Sequence, residues 1–306
     1  MRFRGVLNRG GGTLRTMDVE AFADASRRTL EAAGHTVRFD LVEGEAMVEA
    51  LSEAARAADT DVVMAGGGDG TISAAAGALM NSDKALAILP AGTMNLFARG
   101  LGIPLGLEAA VAAFAGGRVQ PIDIATANGR PFVHQFSVGM HSELIRRREE
   151  MNYSSRPGKI RASVVAALAT AVRPPRIRFR LGLPSAEIAT VASSLSVSNN
   201  VFGDGPLPVA ARPDGGELGV YIARAHRGGE IVRILIGFAT GRWKQDAAIE
   251  MHTAPRVVLR VDRAGRGFQC AIDGELLPLE ASTEIVIHPH ALKVLLPAGK
   301  EAAAAD

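Results

Sequence analysis

The sequence predicts an α/β protein in which an N-terminal doubly wound parallel sheet precedes a C-terminal antiparallel β-sandwich domain. Strand and helix patterns alternate over residues 1–123, as is typical of a parallel sheet with crossover helices. After Asp123 the pattern changes to short segments of alternating polarity, separated by Asn-Gly, Asp-Gly and Pro, which is typical of antiparallel strands. A chain of 306 residues is long enough for two such domains.

The composition favours a folded protein of the cytoplasm. Hydrophobic residues make up 47% and charged residues 22% of the chain, a globular balance. The single cysteine, Cys270, excludes an intramolecular disulfide and fits a reducing compartment, although a lone thiol is equally compatible with plain packing. The N-terminus has no apolar signal-peptide region, and the apolar runs VVAALATAV and IVRILIGFATG are too short to span a bilayer.

Apolar patterns and their end signals predict the elements of the N-terminal domain. The predicted strands are Phe3–Leu7, His35–Val42, Asp61–Ala65 and Ala85–Leu89. The predicted helices are Asp18–Ala33, Glu45–Ala58 and Ser73–Met80, and Gly34 is a typical residue to end the first of them. Because parallel strands end at one edge of a sheet, we expect the glycine-rich loops after three of these strands to meet there.

Period-two segments such as IRFRLGL, LGVYIARA, RVVLRVDR and FQCAIDGELLPLE predict the strands of the C-terminal domain, which we interpret as a sandwich. Helical patterns at 142–151, 159–171 and 229–241 interrupt them. We place the N-terminal domain at residues 1–123, completed by residues 288–306, and the sandwich at residues 124–287.

The stretch GGGDGTIS, residues Gly66–Ser73, is the clearest candidate for a phosphate-binding loop, because glycines let the backbone approach an anion closely. It is not a Walker A motif, since no lysine follows. It is not a dinucleotide fingerprint, since Thr71 or Ser73 stands where a third glycine is needed. Asp69 at its centre would orient a cation or accept a hydrogen bond from a substrate hydroxyl, and both uses belong to phosphoryl transfer.

Two later motifs carry chemistry of the same kind. In LPAGTMNLFARGLGIP, Gly92 permits close approach, while Thr93 and Asn95 offer neutral donors to phosphate oxygens or a ribose. The triplet Asp273-Gly274-Glu275 falls at a strand turn, where an acidic pair could return over the cleft. An ordinary hairpin turn is the alternative interpretation of that triplet.

Together, GGGDGT, LPxGTxNxFARxLGIP and DGE resemble the diacylglycerol kinase catalytic-domain family, which includes bacterial lipid kinases and sphingosine kinases. The likeness spans nearly the whole chain. It implies a NAD-kinase-like N-terminal domain, ATP with Mg²⁺ as the phosphate donor, and a lipid such as diacylglycerol as the acceptor. GGDGT alone is shared with NAD kinases, whereas the second motif is more specific to lipid kinases.

The resemblance also implies residue roles. Asp273 resembles the family's catalytic base, Glu275 its acidic neighbour, and Asp69 the loop carboxylate used for Mg-ATP and hydroxyl positioning. Asp214 is the candidate ligand of a structural magnesium ion. The residues expected to bind ATP are Asn8, Gly10, Gly11, Gly12, Thr13, Gly66, Gly67, Gly68, Asp69, Gly70, Thr71, Gly92, Thr93 and Asn95.

The chain departs from the family pattern at several positions. Ser73 and Ala74 replace a frequent Asn-Glu pair, Leu96 replaces the acid of GTxND, and Gly219 stands where the magnesium segment should carry a second carboxylate. The early loop, Asn8–Gly12, lacks the usual proline and serine. Two alternative functions therefore stay open: a catalytically weak lipid-binding or regulatory protein of the same fold, and a NAD-kinase-like kinase of a soluble nucleotide.

The interval Arg146–Arg180 contains ten basic residues and only two acidic ones, Glu149 and Glu150. It is either a solvated arginine-rich surface or a contact with an anionic membrane. Nucleic acid is not an expected partner, because the interval is poor in aromatic residues for stacking on bases. We expect peripheral contact with the inner face of the cytoplasmic membrane, and the sequence leaves a homodimer open.

Overall fold

The computed structural model describes residues 1–149, 174–262 and 264–298. Most of the basic interval and the predicted helix at 159–171 lie outside the described residues. Within them, the structure confirms a mixed α/β N-terminal region followed by antiparallel strands. No helix of the described ranges is long and apolar enough to cross a membrane.

The N-terminal elements alternate between strand and helix. In chain order they are β1 (Arg2–Asn8), α1 (Val19–Ala32), β2 (Thr36–Val42), α2 (Ala46–Arg56), β3 (Val62–Gly67), α3 (Asp69–Leu79), β4 (Ala85–Pro90), α4 (Leu96–Gly100) and α5 (Leu107–Ala115).

The C-terminal elements are mostly strands. In chain order they are β5 (Arg118–Ala127), β6 (Arg130–Phe132), β7 (Gln135–Gly139), α6 (Met140–Glu149), β8 (Ile177–Gly182), β9 (Glu187–Ala192), β10 (Ser194–Ser198), β11 (Leu218–Ala223), α7 (Gly228–Thr240), β12 (Ile249–Ala254), β13 (Arg256–Val261), β14 (Gly265–Ile272), β15 (Glu275–Leu279) and β16 (Ser282–Leu296).

The first four strands form a parallel sheet in the order β2-β1-β3-β4. Strands β3 and β4 are buried along their whole length, as expected for a sheet that helices cover on both faces. Helix α1 packs with α5, and α2 packs with α3. The arrangement confirms the predicted doubly wound sheet and brings the ends of β1, β3 and β4 to one edge.

Strand β16 joins the parallel sheet to the sandwich. Its last part pairs in parallel with β4, its first part pairs antiparallel with β13, and β5 runs antiparallel along both parts. The resulting ten-stranded sheet passes from one domain into the other. The boundary placed at residues 123 and 124 stays a prediction.

A second sheet, in the order β12-β11-β10-β7-β14-β15, faces the antiparallel half of the first. Buried apolar side chains from both sheets form one core, among them Phe136, Phe179, Val220 and Leu259. This confirms the predicted sandwich. Cys270 is part of the same core, and burial raises the pKa of its thiol to about 11, which fits the packing interpretation of that residue.

Helix α3 begins four residues earlier than the sequence predicted. The expected start was Ser73, but Gly68 is the N-cap and Asp69 is already helical. An aspartate in the first turn of a helix is favourable because it faces the positive end of the helix dipole. The supposed loop GGGDGTIS is therefore the end of a strand followed directly by a helix.

Asp123 of β5 ties the segment before β11 and strand β16 together through two part-buried hydrogen bonds. Its side chain is fully buried, and its two oxygens accept from the amides of Gly216, at 2.7 Å, and His290, at 3.0 Å. Replacing Asp123 by Ala leaves both amides without an acceptor, and a buried unpaired group costs about 1–3 kcal/mol. We expect the free energy of unfolding in urea to fall by about 2–4 kcal/mol. The control is the exposed Asp83→Ala, and an equal effect of the two substitutions contradicts this account.

Candidate active site

Three chain segments meet at the edge where β1, β3 and β4 end. The amide of Thr13 donates to the carbonyl of Ala91 at 2.8 Å. Gly12 has a φ of +51°, and a Cβ there would overlap the Ala91 carbonyl oxygen. A Cβ at Gly92 would lie 2.8 Å from the Cα of Gly68. Glycine is therefore required where the segments touch, and the expected gathering of the loops is observed.

The Asp69 carboxylate holds two of these segments together. Its oxygens accept hydrogen bonds from the backbone amides of Asn95, at 3.1 Å, and Leu96, at 3.0 Å. These amides begin the short helix α4, whose own side chains give no cap. A carboxylate in this position satisfies amides that the helix leaves unpaired. The Asp69 carboxylate therefore has hydrogen-bond donors within the protein, the amides of Asn95 and Leu96, before any ligand is considered.

The side chains of Asn8 and Asn95 also build the loops. Asn8 Oδ1 accepts from the amide of Gly10 at 3.0 Å. Asn95 has a positive φ of 48°, its Oδ1 accepts from the amide of Gly92, and its Nδ2 donates to the carbonyls of Pro90 and Gly92. These two residues, predicted as ATP ligands, therefore shape the segments whose backbone faces the cleft.

Asp273 lies in a two-residue turn between β14 and β15. Asp273 and Gly274 have φ values of 46° and 88°, and positive φ at both central positions is typical of a type I′ hairpin turn. The alternative interpretation of the triplet as a hairpin turn is therefore correct in geometry. It does not exclude a role in the site, because the Asp273 carboxylate faces the cleft formed by the N-terminal loops.

Four donors converge on the Asp273 carboxylate. Ser73 Oγ donates to Oδ2 at 2.6 Å, the amide of Val133 to Oδ2 at 2.8 Å, and the amides of His134 and Gln135 to Oδ1 at 2.9 Å each. Burial raises the pKa of this carboxyl group, while the hydrogen bonds, with that from Ser73 the largest, lower it. The group is held rigidly and is partly shielded from water.

The cleft between the two carboxylates has a volume of about 390 Å³. Asp69 and Asp273 both line it. Leu96, Phe97 and Ile145 contribute apolar surface to its walls. A space of this size, with a few polar groups and apolar walls, is typical of a small-molecule site.

Glu275 does not join Asp273 in the cleft. Its carboxylate forms an ion pair with Arg130 at 2.7 Å, and its side chain is 65% exposed. Among the described residues, the other acidic residue that lines the cleft with Asp273 is Asp69. A catalytic role for Glu275 stays a prediction, and the geometry gives it no support.

Three polar side chains of the site had no signal in the sequence. Ser73 was noted only as a departure from the family pattern, yet it donates to Asp273. His134 and His141 line the cleft, and His141 Nδ1 lies 2.7 Å from Ser137 Oγ. The segment PFVHQFSV predicted only a strand, because period-two patterning does not show which polar side chain faces a site.

Comparison with known proteins identifies the family. A profile of the diacylglycerol kinase catalytic domain matches residues 5–127, and one of the YegS C-terminal NAD kinase beta sandwich-like domain matches residues 135–296. A "Probable lipid kinase YegS-like" of Pseudomonas aeruginosa (strain UCBPP-PA14) is 31% identical over 257 residues, which cover 81% of each chain. This chain belongs to the diacylglycerol kinase family.

Other relatives agree with this assignment. A "Probable lipid kinase YegS-like" of Yersinia pestis (strain Pestoides F) is 45% identical over 93 residues, 29% of this chain and 31% of that one. The crystal structure of a diacylglycerol kinase from Bacillus anthracis str. Sterne covers 97% of both chains with a TM-score of 0.71 and 17% identity, so it supports the fold. Family membership implies a phosphotransferase that uses ATP.

The surroundings of Asp214 do not fit the structural magnesium ion that the resemblance implied. Asp214 Oδ1 is buried and lies 3.5 Å from Arg212 Nε. A Cβ at Gly219 would lie 2.6 Å from both Ser198 Oγ and the Tyr221 hydroxyl, so no second carboxylate fits there. The described residues contain no group of three or more His, Cys, Asp or Glu able to hold a metal. A metal-ligand role for Asp214 stays a prediction.

The structural role of Asp69 is testable by hydrogen exchange. Replacing Asp69 by Ala removes the acceptor of the Asn95 and Leu96 amides, so we expect both to exchange roughly tenfold faster, equivalent to about 1.4 kcal/mol per lost bond. Asp18→Ala is the matched control, because Asp18 caps α1 by accepting from Ala21 outside the cleft. Unchanged exchange at Asn95 and Leu96 contradicts the proposed tie.

Burial lowers the pKa of His134 to about 4, against a small opposing effect of the Asp69 charge. An unfolded chain binds this proton near pH 6.5, so the contribution of His134 to stability is present above that pH and is lost as the pH falls towards 4. We expect the ring resonances of His134 to stay unshifted in NMR spectra down to roughly pH 5. A titration midpoint near the ordinary value contradicts this burial effect.

Proposed function

We propose that this kinase transfers the γ-phosphoryl group of ATP to a hydroxyl group of a lipid. The observation that carries the proposal is that the Asp69 and Asp273 carboxylates line one cleft. One wall is made of glycine-rich loops and the other contains apolar side chains. Amide-rich walls suit phosphate groups, and apolar walls suit the acyl part of an amphipathic acceptor.

ATP binds, in this proposal, at the loops after β1, β3 and β4. The α3 amides and the glycine backbone face the phosphates, because a helix N-terminus favours negative charge. Gly12, Gly68, Gly92 and Thr93 line the cleft and are the nearest candidates for these contacts. Gly10, Gly11, Thr13, Gly66, Gly67, Gly70 and Thr71 belong to the same segments and stay predicted ATP-binding residues.

Asp273 acts as the general base. The acceptor hydroxyl oxygen bonds to the γ-phosphorus as the bond between that phosphorus and the leaving ADP oxygen breaks, and the hydroxyl proton passes to the Asp273 carboxylate. The hydrogen bonds from Ser73 and residues 133–135 orient the carboxylate. They also fill its four acceptor sites, so the Ser73 hydroxyl turns away from Oδ2 as the acceptor hydroxyl approaches. A positioned base contributes about 10²–10⁴-fold to such a rate.

In this proposal Mg²⁺ would accompany the nucleotide, and Asp69 is the side chain expected to face it. Each Asp69 oxygen accepts one hydrogen bond, and a carboxylate oxygen has two acceptor sites, so capacity remains for a hard cation. The ion would neutralise phosphate charge. The Asp69 hydrogen bonds hold the start of α3 against the start of α4, which fixes the segments that would contact the nucleotide.

We also propose contact with an anionic membrane, from which a lipid acceptor would be taken. Arg180 of β8 lies directly opposite Arg260 of β13, and both are exposed without an ion-pair partner in the described part of the chain. Like charges at such positions repel, and an anionic surface would relieve this repulsion. We place the kinase peripherally at the cytoplasmic face of the membrane on this basis.

The central test is Asp273→Asn. We expect phosphorylation of diacylglycerol from labelled ATP to fall by about 10²–10⁴-fold, while ATP affinity measured by calorimetry stays within a few-fold of wild type. Asp83→Asn, at an exposed ion pair, is the control and should retain full activity. Activity of Asp273→Asn within tenfold of wild type removes Asp273 from this role, and ATP binding by wild type without any lipid phosphorylation favours a regulatory protein.

Membrane contact is tested with the double substitution Arg180→Ala and Arg260→Ala. Each arginine near an anionic surface contributes about 1 kcal/mol, so the affinity for phosphatidylserine-containing vesicles should fall roughly thirtyfold in a co-sedimentation assay. Arg27→Ala with Arg38→Ala, in the N-terminal domain, is the charge-matched control. Equal losses in both double variants, or binding that high salt does not weaken, would defeat the proposed surface.

A further inference from the structure

A second cavity, of about 20 Å³, adjoins the active-site cleft. The two spaces share the lining residues Leu96, Phe97, Val133 and His134. A cavity of this volume has room for one water molecule or one hydroxyl group and for nothing larger. Whatever occupies it lies beside the cleft in which the acceptor reacts.

Three residues that line this cavity carry buried polar atoms without a partner. His134 Nε2, Asn199 Oδ1 and Asn200 Oδ1 have no hydrogen bond within the described residues. Nearly all buried polar atoms in native proteins are hydrogen-bonded, to protein or to a guest. Three such atoms around one space therefore indicate a guest that pairs with them.

The asparagine amides cannot turn to satisfy one another. Asn199 Nδ2 donates to the carbonyls of Asp123, at 3.1 Å, and Val133, at 3.3 Å. Asn200 Nδ2 donates to the carbonyl of Pro213 at 3.0 Å. Because the amide nitrogens are held by backbone carbonyls, the side-chain oxygens remain as acceptors, and the guest must donate to them.

The imidazole of His134 supplies the complementary group. Burial keeps this ring neutral at physiological pH, and a neutral imidazole can carry its proton on Nε2. A guest that donates to an amide oxygen and accepts from Nε2–H is a hydroxyl group or water. With the His134 proton on Nε2, an anion has no proton to donate to the asparagine oxygens, and an ammonium group has no acceptor for Nε2–H.

We propose that the small cavity, here called the hydroxyl subsite, binds one uncharged hydroxyl-class group that pairs with His134 and with Asn199 or Asn200. Water or the polar end of the acceptor lipid supplies this group. The second source rests on the proposed lipid kinase function. It would hold the acceptor beside Asp273, because the His134 amide donates to Asp273 Oδ1 at 2.9 Å.

The first test is a high-resolution crystal structure of the full chain without lipid. We expect one solvent-sized density peak within hydrogen-bond distance of His134 Nε2 and of at least one asparagine oxygen. A dry subsite overturns the proposal. So does a metal ion there, recognised by its short coordination distances. This crystallographic test does not depend on whether the enzyme phosphorylates a lipid.

The second test compares monoacylglycerol, which carries a further free hydroxyl, with diacylglycerol as acceptors in mixed micelles. If the acceptor supplies the group, wild type should prefer monoacylglycerol in kcat/KM by about fivefold to tenfold, the effect of one hydrogen bond. His134→Phe should abolish the preference and His134→Gln should restore part of it.

His226→Phe is the matched control, because His226 Nδ1 is also buried and unpaired but His226 lines neither cavity. It should keep the wild-type preference. If His134→Phe leaves the ratio unchanged while the density peak is present in wild type, water is the occupant and the subsite stands. Inactivity of wild type towards both lipids contradicts the proposed function, whereas a dry cavity contradicts the subsite.

Discussion

The carboxylate of Asp273 joins the two domains at the point where chemistry is proposed to occur. Ser73 donates to it from the N-terminal domain, and the amides of residues 133–135 donate from the start of the sandwich. Positive φ at Asp273 and Gly274 directs the side chain into the cleft. Because donors from both domains converge on one group, its position depends on how the domains meet. The long strand β16, which pairs with the parallel strand β4 and with the antiparallel strand β13 in the same sheet, fixes that meeting.

Electrostatics assign different tasks to the two carboxylates of the cleft. Asp69 is stabilised by the α4 amides and by its place in the first turn of α3, which explains why an acid is tolerated among glycines. Asp273 accepts from four donors, and burial raises its pKa, which suits a group that takes up a proton. The first carboxylate therefore organises the phosphate-binding segments, and the second faces the acceptor.

Local signals in the sequence were enough for the parallel sheet and its glycine-rich edge. The family resemblance indicated Asp69 and Asp273, which line one cleft and whose roles stay predictions. Local signals failed where distant parts of the chain decide the outcome. Strand β16 pairs with three strands, which no local pattern shows. Glu275 was expected beside Asp273, but the tight turn leaves it exposed in an ion pair with Arg130. Ser73 and His134 reach the site only through the packing of one domain on the other, so their residue types alone gave no indication.

The role of Asp273 as the general base is tested most directly by the pH dependence of kcat for lipid phosphorylation, measured in wild type and in Ser73→Ala. The Ser73 hydrogen bond lowers the pKa of Asp273, and the proposed base must be deprotonated to act. Removing the hydroxyl should therefore move the acidic limb of the profile to higher pH, whereas Ser52→Ala, which loses only a bond within α2, should not move it. An acidic limb that stays in place in Ser73→Ala contradicts Asp273 as the base and, with it, the central role given to this carboxylate.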